Sequence, residues 1–303
     1  MHNDSKDYIR KLLNSQEPLQ PLTTGVKPRF KKEEGIKAVL FDIYGTLLIS
    51  SSGDIDLTEL SDKNLKQAFN AAGIHIVDGG EDPVINILKD FEYTIHICHE
   101  ASKMNKVPFP EIDILSIWKI VLIHARRKGL VNFSEDADIV LSTCVFEFLS
   151  NKVYPMPGLK DTVRALRRKD LPLGIVSNAQ FYTPVLMNYF LNDKISFKER
   201  VKGFDRELTV FSYKFGKSKP DHTLYEELIP TLKWKFGIIP PEVLFVGNDM
   251  LKDIYASAQA GFKTVLFAGD KRSLRMREDD KRTAGFEPDH VVTELKQILE
   301  IVG

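Results

Sequence analysis

The sequence predicts an α/β protein: a doubly wound parallel sheet of the Rossmann-like kind, with an all-helical segment inserted into it. Three observations lead there. Short apolar runs closed by turn residues alternate with helical periodicity from Leu159 to the C-terminus. One further run, IKAVLF at 36–41, stands far upstream and ends in DIYGT. A run of that length, with turn chemistry directly behind it, reads as a strand buried on both faces. Between these parts, from about Asp56 to Tyr154, the texture is helical throughout.

Taken in order, residues 1–35 read as a polar extension, because Pro18, Pro21 and Pro28 interrupt any regular element and 31–34 is a charged run. The strand at 36–41 follows. Ser61 is the expected N-cap of a helix over 62–72, which Gly73 stops. Segments 83–106, 111–128 and 134–151 place apolar residues three and four apart, with no strand-like alternation. After Pro155-Met156-Pro157-Gly158 come helix 159–169, strand 173–176, helix 180–191 and helix 220–236. Strand 243–246, helix 251–260, strand 264–267, strand 290–292 and helix 294–301 complete the chain. The expected organisation is an extension (1–35), a Rossmann-like core (36–54 and 155–303) and a helical unit (55–154).

With 303 residues, 43% hydrophobic and 28% charged, the chain is long enough to bury a sizeable core and too apolar for extensive disorder. Lys+Arg and Asp+Glu balance at 42 each, so no net field draws in a polyanion and nucleic acid is not an expected partner. Cys98 and Cys144 are too few for a disulfide framework and read as reduced thiols. The start, MHNDSKDYIRKLLNS, carries charge where a secretory signal needs an apolar core. The most apolar stretch, 112–125, is interrupted by Asp113, Lys119 and His124 and falls short of the ~20 residues of a spanning helix. The expectation is a soluble cytoplasmic monomer or homodimer acting on a small anionic substrate, with no membrane partner.

In open parallel sheets ligands bind outside the carboxyl ends of the strands. Asp42 to Thr46 follow the first strand, Ser177 and Asn178 follow LGIV, and Gly247 to Asp253 follow VLFV. Lys219 stands just before a helix. A lone Asp after a strand usually starts a turn or caps a helix. Asp42 has company, however: Ser177 can donate to a substrate anion, Lys219 can neutralise it, and Asn248, Asp249 and Asp253 are acceptors for a hard cation. A carboxylate nucleophile attacking phosphorus or carbon gives an intermediate that water then opens.

FDIYGTL, IVSNA, GKSKPDHTLY and VGNDMLKDI, in that order, resemble the four motifs of the haloacid dehalogenase-like hydrolases and span 41–254. The resemblance implies that Asp42 is the nucleophile and that Thr46 and Ser177 bind the transferred group. It implies that Lys219 holds nucleophile and substrate anion, and that the carboxylates after Gly247 anchor Mg²⁺ or fix Lys219. The Mg²⁺ ligands so implied are Asp42, the backbone carbonyl of Tyr44, and Asn248 or Asp249. The helical insert is similar to the mobile cap of that family, which closes over the site and excludes water.

Two departures from the pattern matter. The family's phosphatases place an acid two residues after the nucleophile; here that residue is Tyr44, as in the haloacid dehalogenases, where halide leaves without a proton. A phenol near its reference pKa of ~10 is a poor proton donor at neutral pH. The residue after Val246-Gly247 is Asn248, whose amide ligates Mg²⁺ without charge. Tyr44 favours dehalogenation or another good leaving group, whereas Asn248, Asp249 and Asp253 favour Mg²⁺-dependent phosphoryl hydrolysis, which ranks slightly ahead. A metal-independent 2-haloacid dehalogenase is the alternative, and a non-catalytic binding protein retaining the fold is the rival of another class.

Weaker signals have bland readings. His96, Cys98 and His99 share a helical stretch without a second zinc-spaced pair, so a helix with partly exposed histidines is expected. Arg126, Arg127 and Lys128 complement a helix dipole. The mixed-charge run 270–282 reads as a solvated loop, and Trp118 and Trp234 as packing residues.

Overall fold

The computed structural model describes residues 3–53, 60–77 and 82–303. Helix α1 (Asn3–Asn14) opens the chain, followed by β1 (Ala38–Phe41) and β2 (Leu48–Ser50). The insert comprises α2 (Asp62–Ala71), β3 (His75–Ile76), α3 (Pro83–Met104), α4 (Ile114–Arg127), β4 (Val131–Asn132) and α5 (Ile139–Ser150). β5 (Val153–Pro155) pairs antiparallel with β2, so the two ends of the insert leave and re-enter the molecule side by side. Then come α6 (Leu159–Arg168), β6 (Leu173–Ser177), α7 (Thr183–Asn192), β7 (Thr209–Phe211), β8 (Val243–Gly247), β9 (Lys263–Phe267) and β10 (His290–Val292). The boundary expected at 54–55 lies outside the described residues.

The main sheet has six strands in the order β10-β9-β8-β1-β6-β7, every neighbouring pair parallel. The chain runs outward from β1 to one side and then crosses to the other at β8, which makes β1 the point where strand order reverses. Phe41 stands opposite Val246 on one side and Ile175 on the other. The period of two divides the apolar run between two cores: Val39 and Phe41 face one, with Ile175 and Val246, while Ala38 and Leu40 face the other, with Val176 and Phe245. All four β1 residues are buried, as a strand covered on both faces requires.

Within the insert, α2 and α4 pack on α5, and α3 packs on α4. Trp118 of α4 is the centre of that contact, stacked on Phe91 at 4.4 Å and edge-on to Phe146 at 5.0 Å. Packing is therefore its role, as its lack of a motif suggested, while Trp234 is exposed. Three of the helices start on aspartates that accept backbone N–H bonds: Asp82 from Val84, Asp113 from Leu115 and Asp138 from Leu141. These caps move the expected starts of α4 and α5 from 111 and 134 to Ile114 and Ile139. Ser61 is the N-cap of α2, but its side chain makes no capping bond.

Four expectations need correction. Residues 1–35 are not without regular structure: α1 buries Ile9, Leu12 and Leu13 against α5, with Ser5 Oγ donating to Asp138 at 2.7 Å. The rest of that stretch lies along the sheet edge, where Arg29 pairs with Val291 and Thr24 Oγ1 donates to the Ala268 carbonyl. Among its described residues the insert contains one short ladder, His75–Ile76 against Val131–Asn132. The helix expected over 220–236 breaks into Thr223–Glu226, Ile229–Thr231 and a π-turn at Leu232–Phe236. Pro230 cannot donate to the carbonyl four residues back, which ends the first piece. Finally, 270–282 is not solvated throughout, since Asp270 and Ser273 are buried. No helix among the described residues is long and apolar enough to cross a membrane.

Candidate active site

Asp42 emerges where β1 stops. Its N–H donates to the Val246 carbonyl at 2.9 Å, which extends the ladder by one residue and fixes the carboxylate between the carboxyl ends of β6 and β8. The side chain is almost fully buried, and its Oδ1 collects two donors: Ser177 Oγ at 3.0 Å and Lys219 Nζ at 2.5 Å. No donor among the described residues reaches Oδ2. Gly45 turns the chain behind Asp42 with φ +87°, and a Cβ there would lie 2.6 Å from both Asn248 Nδ2 and Ser273 Cβ.

Lys219 is held from both ends. Its backbone N–H donates to Asn178 Oδ1 at 2.8 Å, and its Nζ lies 2.5 Å from Asp253 Oδ1 as well as from Asp42. Burial works against its charge, but Asp253 and Asp42 outweigh burial and raise its pKa, so it stays an ammonium. Asp253 Oδ2 accepts the N–H groups of Asn248 and Asp249, each at 2.9 Å. That tuck needs Gly247, because a Cβ there would sit 2.4 Å from Asp253 Cβ. Two buried carboxylates thus share one ammonium. Burial pushes the Asp253 carboxyl up to about 7, with Lys219 pulling the other way.

The remaining sequence-predicted residues take different places. Thr46 Oγ1 donates to Asn248 Oδ1 at 3.0 Å, so this hydroxyl orients the amide. Asn248 Nδ2 in turn donates to the Ser273 carbonyl at 2.6 Å. The Tyr44 hydroxyl pairs with Thr183 Oγ1 at 2.9 Å, and burial drives its pKa far above the ordinary phenol value. Asp249, expected among the metal ligands, is committed elsewhere. Its Oδ1 caps Leu251 and Lys252, and Arg277 grips both carboxylate oxygens at 2.6 to 3.2 Å. Arg277 comes from the loop read as solvated, 28 residues away, and nothing local in the sequence marks it.

A small cavity of about 30 Å³ lies among Asp42, Tyr44, Asn248, Asp249 and Lys219, with Lys252 and Arg275 also on its wall. Mg²⁺ usually takes one or two carboxylates, keeps several waters and completes its shell with substrate phosphate oxygens. The donors here fit that habit: one open carboxylate, Asp42, and one oriented amide oxygen, Asn248, border the cavity, while Asp249 is engaged by Arg277. Among the described residues no group of three or more His, Cys, Asp or Glu side chains forms a cage. Affinity should accordingly be modest.

A second, larger cavity of about 360 Å³ adjoins the first. Asn178 lines one and Ala179 the other; Lys219 lines one and Ser218 the other. Glu147 of α5 lies in its wall, 7% exposed, and accepts from the Tyr182 hydroxyl at 3.1 Å. Burial lifts this carboxyl from 4.5 to about 7, offset in part by the Tyr182 hydroxyl that donates to it. The folded protein thus holds a proton that the unfolded chain has lost, and stability falls as pH rises from about 4.5 through about 7. At ~1.4 kcal/mol for each tenfold in proton affinity, the penalty above that window reaches up to about 3 kcal/mol. Glu147→Gln is expected to be more stable than wild type near pH 8 and to lose most of that margin near pH 5, as read by urea titration. An equal margin at both pH values would show that the carboxyl charge is not its source.

Known proteins bear on this site. The family model for haloacid dehalogenase-like hydrolases matches residues 36–261. A glyceraldehyde 3-phosphate phosphatase of Pyrococcus furiosus is 27% identical over 152 residues, 48% of this chain and 54% of that protein. The chain thus spans about half the length of this curated relative. A 2-haloacid dehalogenase from Pseudomonas syringae pv. Tomato DC3000 superposes with a TM-score of 0.53 at 19% identity, covering 88% of this chain and 97% of that one, which shows the shared fold. A HAD phosphatase from Thermococcus onnurineus gives 0.46 at 17% identity, covering 88% and 98%.

Proposed function

The chain belongs to the haloacid dehalogenase-like hydrolases, and from that premise we propose that it hydrolyses a small phosphorylated metabolite through a covalent intermediate on Asp42. The observation that carries this reading is the asymmetry of Asp42, whose Oδ1 is pinned by Lys219 and Ser177 while no donor among the described residues reaches Oδ2. Lys219, Lys252 and Arg275 stand on the small cavity with Asp42, Asp249 and Asp253, and phosphoryl transfer draws on such cations where displacement at a halogenated carbon does not. The phosphatase named among the relatives points the same way.

In the proposed reaction Asp42 Oδ2 attacks phosphorus, and the bond to the leaving oxygen breaks with its electron pair remaining on that oxygen. Lys219 neutralises charge shared by Asp42 and the phosphoryl oxygens, and Ser177 donates to the same group. Water then attacks the phosphorus of the acyl phosphate, releasing inorganic phosphate and regenerating the Asp42 carboxylate. Asp42, Asn248 and the Tyr44 carbonyl would hold Mg²⁺, which when bound supplies further neutralisation of the phosphoryl group. Residues 55–154 act as the cap that closes over the site and excludes water.

Tyr44 decides the leaving group. Anchored on Thr183 and far above the ordinary phenol pKa, it does not deliver a proton, so the leaving group departs as an anion. Acyl and aryl phosphates are expected to be hydrolysed about 10²-fold faster than alkyl phosphates, the low end of what general acid catalysis contributes. The test is a series of phosphate monoesters of graded leaving-group pKa, assayed with Mg²⁺ and with EDTA. Rates should climb steeply as that pKa falls, vanish in EDTA and return with Mg²⁺. The same Tyr44 supports a second reading, displacement of halide from a 2-haloacid by Asp42 without metal. Halide release in chelator, with every phosphate ester inert, would establish that reading instead.

A further inference from the structure

We propose that the 360 Å³ chamber receives the leaving group, and that the group it takes carries an ammonium on an apolar body. The inference rests on the hydrolase reading above. A cavity of 30 Å³ beside Asp42 has room for the reacting group and little more, so the rest of the substrate must lie elsewhere. The larger chamber is the adjoining space, because consecutive residues, Asn178-Ala179 and Ser218-Lys219, line the two.

The walls of the two cavities differ in charge. The small one balances Lys219, Lys252 and Arg275 against Asp42, Asp249 and Asp253. Among the described residues that line the chamber there is no Lys or Arg and one histidine, His99, whereas Glu92, Glu111 and Glu147 all border it. Phe91, Ile95, Ile114 and the Tyr182 side chain supply the apolar surface between these carboxyls. Glu111 is set in place by Ser212 Oγ at 2.7 Å and Gln180 Nε2 at 3.2 Å. Glu92 stands at the exposed rim.

Glu147 is the most telling of the three. It sits in the interior, and no Lys or Arg among the described residues forms an ion pair with it. A buried carboxyl without a cation costs the fold stability, and an ammonium placed in the chamber supplies the missing partner. The same carboxyls disfavour a leaving group whose body carries a carboxylate of its own, so the chamber selects by rejection as well as attraction.

Three aryl phosphates of similar phenol pKa test this: p-(aminomethyl)phenyl, p-tolyl and p-(carboxymethyl)phenyl phosphate. In wild type the ammonium ester should exceed the carboxylate ester in kcat/KM by about 100-fold, ~2.8 kcal/mol, with the tolyl ester between them. Glu147→Gln should cut that ratio about tenfold, ~1.4 kcal/mol. A wild-type ratio at or below one, or a ratio unmoved in Glu147→Gln, overturns the proposal and leaves the phosphatase reading standing. If none of the three is hydrolysed, the phosphatase reading is what has failed. The chamber is then judged by calorimetric binding of benzylammonium against phenylacetate to the wild-type protein, and equal or reversed affinity overturns it.

Discussion

Asp42→Asn is expected to remove turnover, to about 10⁻⁴ of wild type or below, while the protein stays folded and no less stable than wild type. The amide is nearly isosteric with the carboxylate but far too weak a nucleophile to attack phosphorus or carbon. The stability half of this expectation follows from charge counting inside the site. Asp42 and Asp253 share the single ammonium of Lys219, so the buried trio carries one negative charge too many. Replacing Asp42 with a neutral residue leaves Lys219 and Asp253 balanced, each still within 2.5 Å of the other. Thermal unfolding should therefore show an unchanged or higher midpoint, and a phosphate-release assay should show nothing. An active Asp42→Asn enzyme would sink the covalent mechanism in both of its forms. If Asp42→Asn matches wild type in every assay because neither turns anything over, the chain is the non-catalytic binding protein held as the rival.

The parts of this site legible in the sequence are those that one strand and its turn encode together. An apolar run buried on both faces leaves its first polar residue at the sheet's carboxyl edge, so Asp42, Ser177 and the Gly247 to Asp253 segment arrive there by construction. Lys219 was readable from its motif, and the structure brings it to Asp42 across 177 residues of chain. Partners chosen by tertiary packing were not readable. Arg277 reaches Asp249 from a loop of mixed charge, where it resembles every other surface arginine. In the sequence Glu147 is the charged residue of an otherwise uncharged helix, and only the burial of that helix against α2 and α4 makes its carboxyl unusual. Helix α1 was legible in principle, since Ile9, Leu12 and Leu13 share a face. The prolines at 18, 21 and 28 argue against regular structure only after the helix, since all three follow it.

Lys219→Ala is expected to reduce kcat/KM by about 10³-fold or more and to destabilise the fold by about 3–5 kcal/mol, because it strands two buried carboxylates without a cation. Both effects have one electrostatic source, and they can be separated. Stability is separated by removing the second stranded charge as well. In Lys219→Met/Asp253→Asn the long apolar side chain refills the space and only Asp42 stays charged, so unfolding resistance should return most of the way to wild type. Activity should not return with it, since nothing then neutralises the phosphoryl group and the nucleophile together. A Lys219→Ala enzyme within a few-fold of wild type would show that Lys219 only fills space between the carboxylates. Recovery of rate along with stability in the double variant would assign Lys219 a purely structural role.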